Sequence, residues 1–348
     1  FRKMNKKHIF SILGFLSISA TVFAGNPVRS GSAGASELLI NPWARTASWS
    51  EANTANVMGL ESLYGNIAGL AFTEGLQAGF ANSQWLVGSG IQMNAAAFAT
   101  PSGNDGVIGI HITNMNYGDI EVTTTDLPDG GAGSYRPTAS IIGIGYSKKF
   151  TQSIFGGVNI KLYNSSISNL TATGLCFDAG VQYVTGDNRD FKFGITLRNI
   201  GPSFGYSGDG MAIVLPVPSG SHTSTFDNRS QSFELPTQLA IGASKRIDLN
   251  AKHRLNIAGN FISNSFKKDQ LTGGLEYDYN EVFQVRFGYA LFDNRFDGLA
   301  SEAFTGPSAG FSVNAPTGNG GNFQINYAYR LTNSAFMGVH TLGVILVL

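Results

Sequence analysis

Phe191-Lys192-Phe193-Gly194-Ile195-Thr196-Leu197-Arg198 alternates an apolar residue with a polar, charged or small one at every step. In an extended chain successive side chains point to opposite faces. The stretch therefore predicts a strand with one greasy face and one face that carries Lys192 and Arg198. The pattern recurs on both sides of it. Val158, Ile160 and Leu162 interleave with Asn159, Lys161 and Tyr163, and Phe177, Ala179, Val181 and Tyr183 interleave with Asp178, Gly180 and Gln182. Further on, Leu275, Tyr277 and Tyr279 interleave with Glu276 and Asp278, and Phe283, Val285, Phe287 and Tyr289 with Gln284, Arg286 and Gly288. Phe323, Ile325, Tyr327 and Tyr329 then alternate with Gln324, Asn326 and Arg330.

Fourteen such segments are predicted, over 74–84, 88–100, 105–124, 138–150, 152–168, 172–185, 189–200, 236–248, 252–265, 268–279, 282–293, 307–314, 321–331 and 335–348. Most reach the about 9–11 residues that a tilted membrane-spanning strand needs. The connections sort by parity. The even-numbered ones (101–104, 151, 186–188, 249–251, 280–281 and 315–320) are short, and the long ones (125–137, 201–235 and 294–306) are all odd. Short turns at one end and long loops at the other are the pattern of an outer-membrane barrel. A secreted sandwich or propeller has no reason to sort its loops this way. The reading places the long loops outside the cell and both chain termini in the periplasm.

Composition agrees with a barrel whose outer face is not wet. Charged residues are 13% of the chain, about half the usual share. Gly is 44 of 348 residues, and Phe and Tyr number 25 and 12. Lys+Arg and Asp+Glu are 23 each, so there is no basic surplus for nucleic acid. A single Cys allows no internal disulfide.

The N-terminal quarter reads differently. Residues 1–3 precede Met4, a basic Asn5-Lys6-Lys7-His8 follows, and an apolar run from Ile9 to Ala24 ends with Val22 and Ala24 at the −3 and −1 positions before Gly25. This predicts a signal peptide over 1–24. Residues 25–73 alternate poorly, are too polar to span and too long to dangle. A barrel of this size has a lumen that its own side chains do not fill, so the segment is expected inside as a plug, with the barrel at 74–348.

Asn66-Ile67-Ala68-Gly69-Leu70-Ala71 resembles the Asn-Pro-Ala-Gly/Ala-Leu-Ala hatch motif of FadL-type barrels, with Ile67 where Pro is usual. Glu37-Leu38-Leu39-Ile40-Asn41-Pro42-Trp43-Ala44-Arg45 is similar to a segment near the mature N-terminus of the PorV/PorQ family, FadL-like outer-membrane proteins of the type IX secretion system in Bacteroidota. The resemblance continues through Gly118-Asp119-Ile120-Glu121, the 177–183 strand and Leu197-Arg198-Asn199-Ile200-Gly201. It implies a 14-stranded antiparallel transmembrane barrel with an N-terminal hatch, Leu39, Pro42, Arg45, Asn66, Ala68 and Gly69 marking that hatch. It implies a non-enzymatic protein-transport component whose partners are the translocon barrel, cargo C-terminal domains or a surface attachment protein, in outer-membrane lipid. The alternative is a FadL-like transporter of hydrophobic small molecules, which needs a greasy internal pocket leading to a gap in the wall.

Chemistry is sparse. Gly306-Pro307-Ser308-Ala309-Gly310 fits G-x-S-x-G but lacks the strand-then-helix setting of a nucleophile elbow. The five His show no ligand spacing with one another or with Cys176, so no metal or cofactor is expected. Asp293-Asn294-Arg295-Phe296-Asp297-Gly298 lacks the spacing of a calcium loop. The charges that alternate onto the inner face are Lys161, Asp178, Lys192, Arg198, Arg246, Arg254, Glu276, Asp278, Arg286 and Arg330. Desolvated charges need partners, so these are expected to pair with each other and with Glu51, Glu61 and Arg45. Met211, Ile213, Val214, Leu215 and Val217 make an apolar run in the longest loop. It is either a partner surface or a flap over the barrel mouth.

Overall fold

The structure, a computed structural model, describes residues 29, 31–216, 222–292, 303–317, 320–333 and 335–348. The signal run at 1–24, Val217 and the 293–298 loop lie outside the described residues.

In chain order the strands are β1 (Gln77–Trp85), β2 (Ile91–Ser102), β3 (Gly106–Asn116), β4 (Ile120–Glu121), β5 (Ser134–Tyr135), β6 (Thr138–Lys149), β7 (Ile154–Ile167), β8 (Leu170–Thr185), β9 (Phe191–Ile200) and β10 (Tyr206–Ser207). They continue with β11 (Ala212–Pro216), β12 (Thr223–Asp227), β13 (Gln238–Asp248), β14 (His253–Asn264), β15 (Gln270–Tyr279), β16 (Phe283–Phe292), β17 (Phe304–Pro316), β18 (Asn322–Thr332) and β19 (Val339–Val347). Leaving aside β4, β5, β10, β11 and β12, each strand pairs antiparallel with its sequence neighbours, and β1 pairs with β19 from Gln77↔Val347 to Gln84↔His340. The result is a closed 14-stranded barrel. Closure leaves no sheet edge to satisfy, which is the condition for crossing lipid with strands.

Two departures from the expected boundaries have local causes. The segment expected at 105–124 ends as a strand at Asn116, where Gly118 turns back at φ 83° and its N–H donates to Asn116 Oδ1 at 2.9 Å. The segment expected at 307–314 is longer, 304–316, because a bulge between Phe304 and Ser308 absorbs Gly306 at φ 109° and Pro307, which has no N–H for the ladder.

The faces divide as the alternation requires. Ile110, Ile112, Ile144, Val158, Ile160, Phe287 and Leu291 are exposed on the outside. Asn159, Lys161, Asp178, Gln182, Arg198, Glu276 and Arg286 are buried on the inside. Residues 36–72 pack against those inner faces as a chain of short turns: Ser36–Leu39, Ala44–Ala47, Gly59–Leu63 and Ile67–Phe72. The sequence dictates these turns locally. Asn41 Oδ1 accepts from Trp43 N at 2.9 Å, and Asn66 Oδ1 accepts from Ala68 N at 3.2 Å, each holding the start of a turn. Leu60, Leu63, Ile67 and Leu70 then meet Ala81, Ala95, Ala97, Ala99 and Val107 of the wall in one apolar cluster.

Candidate functional site: the barrel lumen

The lumen is lined by polar residues that hold the backbone of residues 36–72. Asn66 is fully buried, and its amide donates to Thr54 O at 2.9 Å and to Val181 O of β8 at 3.2 Å. Gln182 donates to Thr54 O at 3.2 Å and Val57 O at 3.0 Å, Asn159 to Leu63 O at 3.2 Å, and Ser147 to Ala68 O at 3.1 Å. Elsewhere around the wall Asn260 of β14 donates to Thr54 Oγ1 at 2.8 Å and Ser308 of β17 to Ser48 O at 2.9 Å. A segment without regular structure leaves backbone groups orphaned, and these side chains replace the missing ladder.

The inward charges meet three kinds of partner. Lys161 pairs with Asp178 at 2.7 Å, and Asp178 Oδ1 also accepts from Asn199 N at 2.8 Å. Asn199 stands at φ 60°, in the bulge where the β8–β9 register shifts, so the pair holds an unfavourable backbone. Arg198 and Arg330 reach Glu51 at 3.6 Å and 3.8 Å. Arg286 Nε lies 2.5 Å from Glu276, Nη1 donates to Ser312 at 2.6 Å and Nη2 to Gln284 at 3.0 Å, while Arg45 stands 4.0 Å from the same carboxylate. Burial pushes the Glu61 carboxyl above the usual range; Arg45, Arg286 and hydrogen bonds from Thr46 pull the other way. Among the described residues Glu61, Asp278 and Lys192 do not form the expected ion pairs. Asp278 accepts from Glu281 N at 2.9 Å and so caps its own turn. Lys192 meets the Met58 sulfur at 3.3 Å and no carboxylate.

The residues expected to mark a hatch are distributed along residues 39–69. Pro42, Ala68 and Gly69 are buried, Leu39 and Arg45 half-buried, and a Cβ on Gly69 would stand 2.1 Å from Val57 O. At the long-loop end Glu37 ties the chain down. Its carboxylate accepts from the Tyr117 hydroxyl and from Tyr163 OH at 3.0 Å. Tyr64 OH donates to Leu39 O at 2.8 Å. Removing the Tyr163 hydroxyl should cost about 1.5–3 kcal/mol, as for other hydrogen bonds to a charged group. Limited proteolysis of the Tyr163→Phe barrel should cut residues 31–40 faster than in the unchanged protein; equal rates would refute a fastening role. Glu37, Tyr117 and Tyr163 were legible only in part. Tyr163 sits on the inner alternation, whereas Tyr117 lies beyond the end of its strand.

Two cavities flank the 36–40 turn. The outer one, about 210 Å3, lies between Gly31, Ala33, Gly34, Ser36 and Leu39 on one side and Pro236, Thr237, Asn264, Ser265, Phe266 and Lys267 on the other. The inner one, about 20 Å3, is lined by Leu38, Ile40, Trp43, Tyr64, His111, Lys161 and Arg198 among others. It has room for a single water.

Met211 is half-buried at the foot of a hairpin in which β11 pairs with β12. The described part of the run lies on this hairpin, with Ile213, Val214 and Leu215 exposed and Phe226 opposite Ile213.

No protein-family model matches the chain, and no curated protein does. Solved structures do. The toluene transporter TodX of Pseudomonas putida superposes with TM-score 0.55 at 13% identity, over 84% of this chain and 94% of that one. The TodX deltaS2S3 mutant monoaromatic hydrocarbon channel gives 0.54 at 12%, over 87% and 97%. The CymD monoaromatic hydrocarbon channel gives 0.50 at 12%, over 93% and 97%. At such identities the likeness is one of fold alone, a closed antiparallel barrel.

Proposed function

We propose that this barrel is an outer-membrane channel that admits small apolar molecules at its long-loop end, with the short turns and both termini in the periplasm and the long loops outside. The observation that carries the reading is the outer cavity. Its volume of about 210 Å3 exceeds the roughly 150 Å3 that suffices for benzene in an apolar protein cavity. Leu39, Pro236 and Phe266 give it apolar walls, and residues of the 36–40 turn line both it and the inner cavity. The monoaromatic ligands named for TodX and CymD are of the same size class. Passage requires the turn held by Glu37 to yield, because the lumen beneath it is filled. Such a channel performs no covalent chemistry.

Toluene binding to the purified barrel tests this. Leu39→Trp places an indole in the cavity and should reduce binding at least tenfold without altering the heat stability of the barrel. Equal toluene binding by the two proteins would reject the reading.

A second reading, a PorV/PorQ-like component of type IX protein secretion, is favoured by the β11–β12 hairpin. Apolar side chains exposed on a long outer loop mark a protein-docking surface. Its partners would be the translocon barrel, cargo C-terminal domains or a surface attachment protein. Affinity purification from native membranes separates the two readings: a secretion component recovers such a partner and loses it on Leu215→Asp, whereas a channel recovers the barrel without one.

A further inference from the structure

Lys192 and Arg189 share one aromatic platform at the short-turn end of the lumen. Phe72, at the end of the Ile67–Phe72 turn, stacks on Phe155 of β7 with ring centroids 4.1 Å apart. Lys192 Nζ stands 5.0 Å from the Phe72 centroid, and the Arg189 guanidinium carbon 6.0 Å from that of Phe155. Their remaining contacts are neutral. Lys192 Nζ touches the Met58 sulfur at 3.3 Å, and Arg189 Nη1 donates to Gln152 O at 2.6 Å. Among the described residues neither makes an ion pair; Asp187, in the turn before Arg189, is exposed, and three acids on or beside the surrounding strands are engaged elsewhere. Asp190 pairs with Lys245, Asp248 with Arg246 at 3.2 Å, and Glu276 with Arg286 at 2.5 Å. The charged groups that act on Lys192 are Arg45, Arg189 and Arg246, all of its own sign.

An aromatic face attracts a cation but does not neutralise it. Like charges gathered in a partly desolvated site disfavour one another until a counter-charge enters. We propose that the short-turn end of the lumen holds a binding site for a small oxyanion, a phosphate or carboxylate group, gripped by Lys192 and Arg189 above the Phe72–Phe155 pair. The anion would fasten Phe72 and Met58 to β7 and β9 and so lock the inner end of residues 58–72 to the wall. The proposal is independent of what passes through the lumen.

Calorimetric titration of the whole barrel with inorganic phosphate tests it, in uncharged detergent at low salt and with chloride matching the ionic strength. Saturable binding is expected. Lys192→Gln should weaken it at least tenfold, the Arg189→Gln/Lys192→Gln pair should abolish it, and Lys252→Gln, an exposed cation at the same end, should leave it unchanged. Repeating the titration in nanodiscs names the source. Unchanged affinity in phosphatidylglycerol relative to phosphatidylcholine supports a soluble anion, and competition by phosphatidylglycerol supports a lipid headgroup in the same grip. Should Lys192→Gln fail to fold, the unchanged barrel decides: phosphate must raise its unfolding temperature above the chloride control. No saturable binding, no such rise, or equal affinity in Lys192→Gln would overturn the proposal.

Discussion

Arg286→Ala is expected to destabilise the barrel by about 3–5 kcal/mol, the range for removing one partner of a buried ion pair. Arg286 is fully buried, and its three donor groups serve Glu276, Ser312 and Gln284 at 2.5, 2.6 and 3.0 Å. Glu276, itself buried, would retain Asn256 at 2.8 Å and Arg45 at 4.0 Å. A hydrogen bond from a neutral amide and a distant cation do not replace a guanidinium in contact. The double variant Arg286→Met/Glu276→Gln removes both charges at similar volume, and should recover most of the loss because desolvation of the pair offsets much of its attraction. The readout is the folded fraction in detergent against denaturant, followed by the heat-modifiable gel mobility of the barrel. If the double variant is as unstable as Arg286→Ala, the cost belongs to packing and the ionic account fails.

Gly288→Leu is expected to drive residues 48–50 off the wall and open the lumen. Gly288 faces inward on β16, and a Cβ there would stand 2.1 Å from the carbonyl carbon of Trp49 and 2.5 Å from Ser50 N. Those atoms are backbone, so no rotamer change relieves the clash. Gly194, on β9 with β13, β14 and β15 between it and β16 around the ring, meets a following part of the same segment, with a Cβ 2.4 Å from Thr54 O. Overpacking of this kind costs about 1–3 kcal/mol even where side chains can move. Here the segment is held by hydrogen bonds that have to break, while the barrel ladder does not. The strands should therefore survive and the N-terminal segment should shift. Planar-bilayer recordings should show a conductance several-fold above that of the unchanged protein, and trypsin should gain access to Arg45. A barrel that keeps the parent conductance and resists trypsin would mean that the segment accommodates the side chain in place.

Both expectations rest on features of different legibility. The inward position of Arg286 and Glu276 follows from period-two alternation, which records the faces directly because a strand has only two. Their exact pairing does not: a two-residue turn at 280–281 would set Glu276 opposite Val285, whereas the structure pairs Tyr279 with Phe283 across 280–282 and so puts Glu276 opposite Arg286. The clash at Gly288 was not legible. A glycine in a strand announces a close approach without naming what approaches, and the Trp49–Ser50 backbone comes from more than 200 residues earlier in the chain.

The same division runs through the lumen. Alternation, loop parity and a low charge content were enough to predict a barrel, most of its strands to within a few residues and which face each charge takes. These are local properties, repeated at every rung. Whether Lys192 would find an acid, as Lys161 did, depended on which part of residues 36–72 arrives beside it. Met58 and Phe72 arrived, and no carboxylate did. The tertiary structure alone decided this, because an irregular segment has no period from which its neighbours can be read. Its path is set by side-chain hydrogen bonds from strands scattered around the whole ring, and those exist only once the ring has closed.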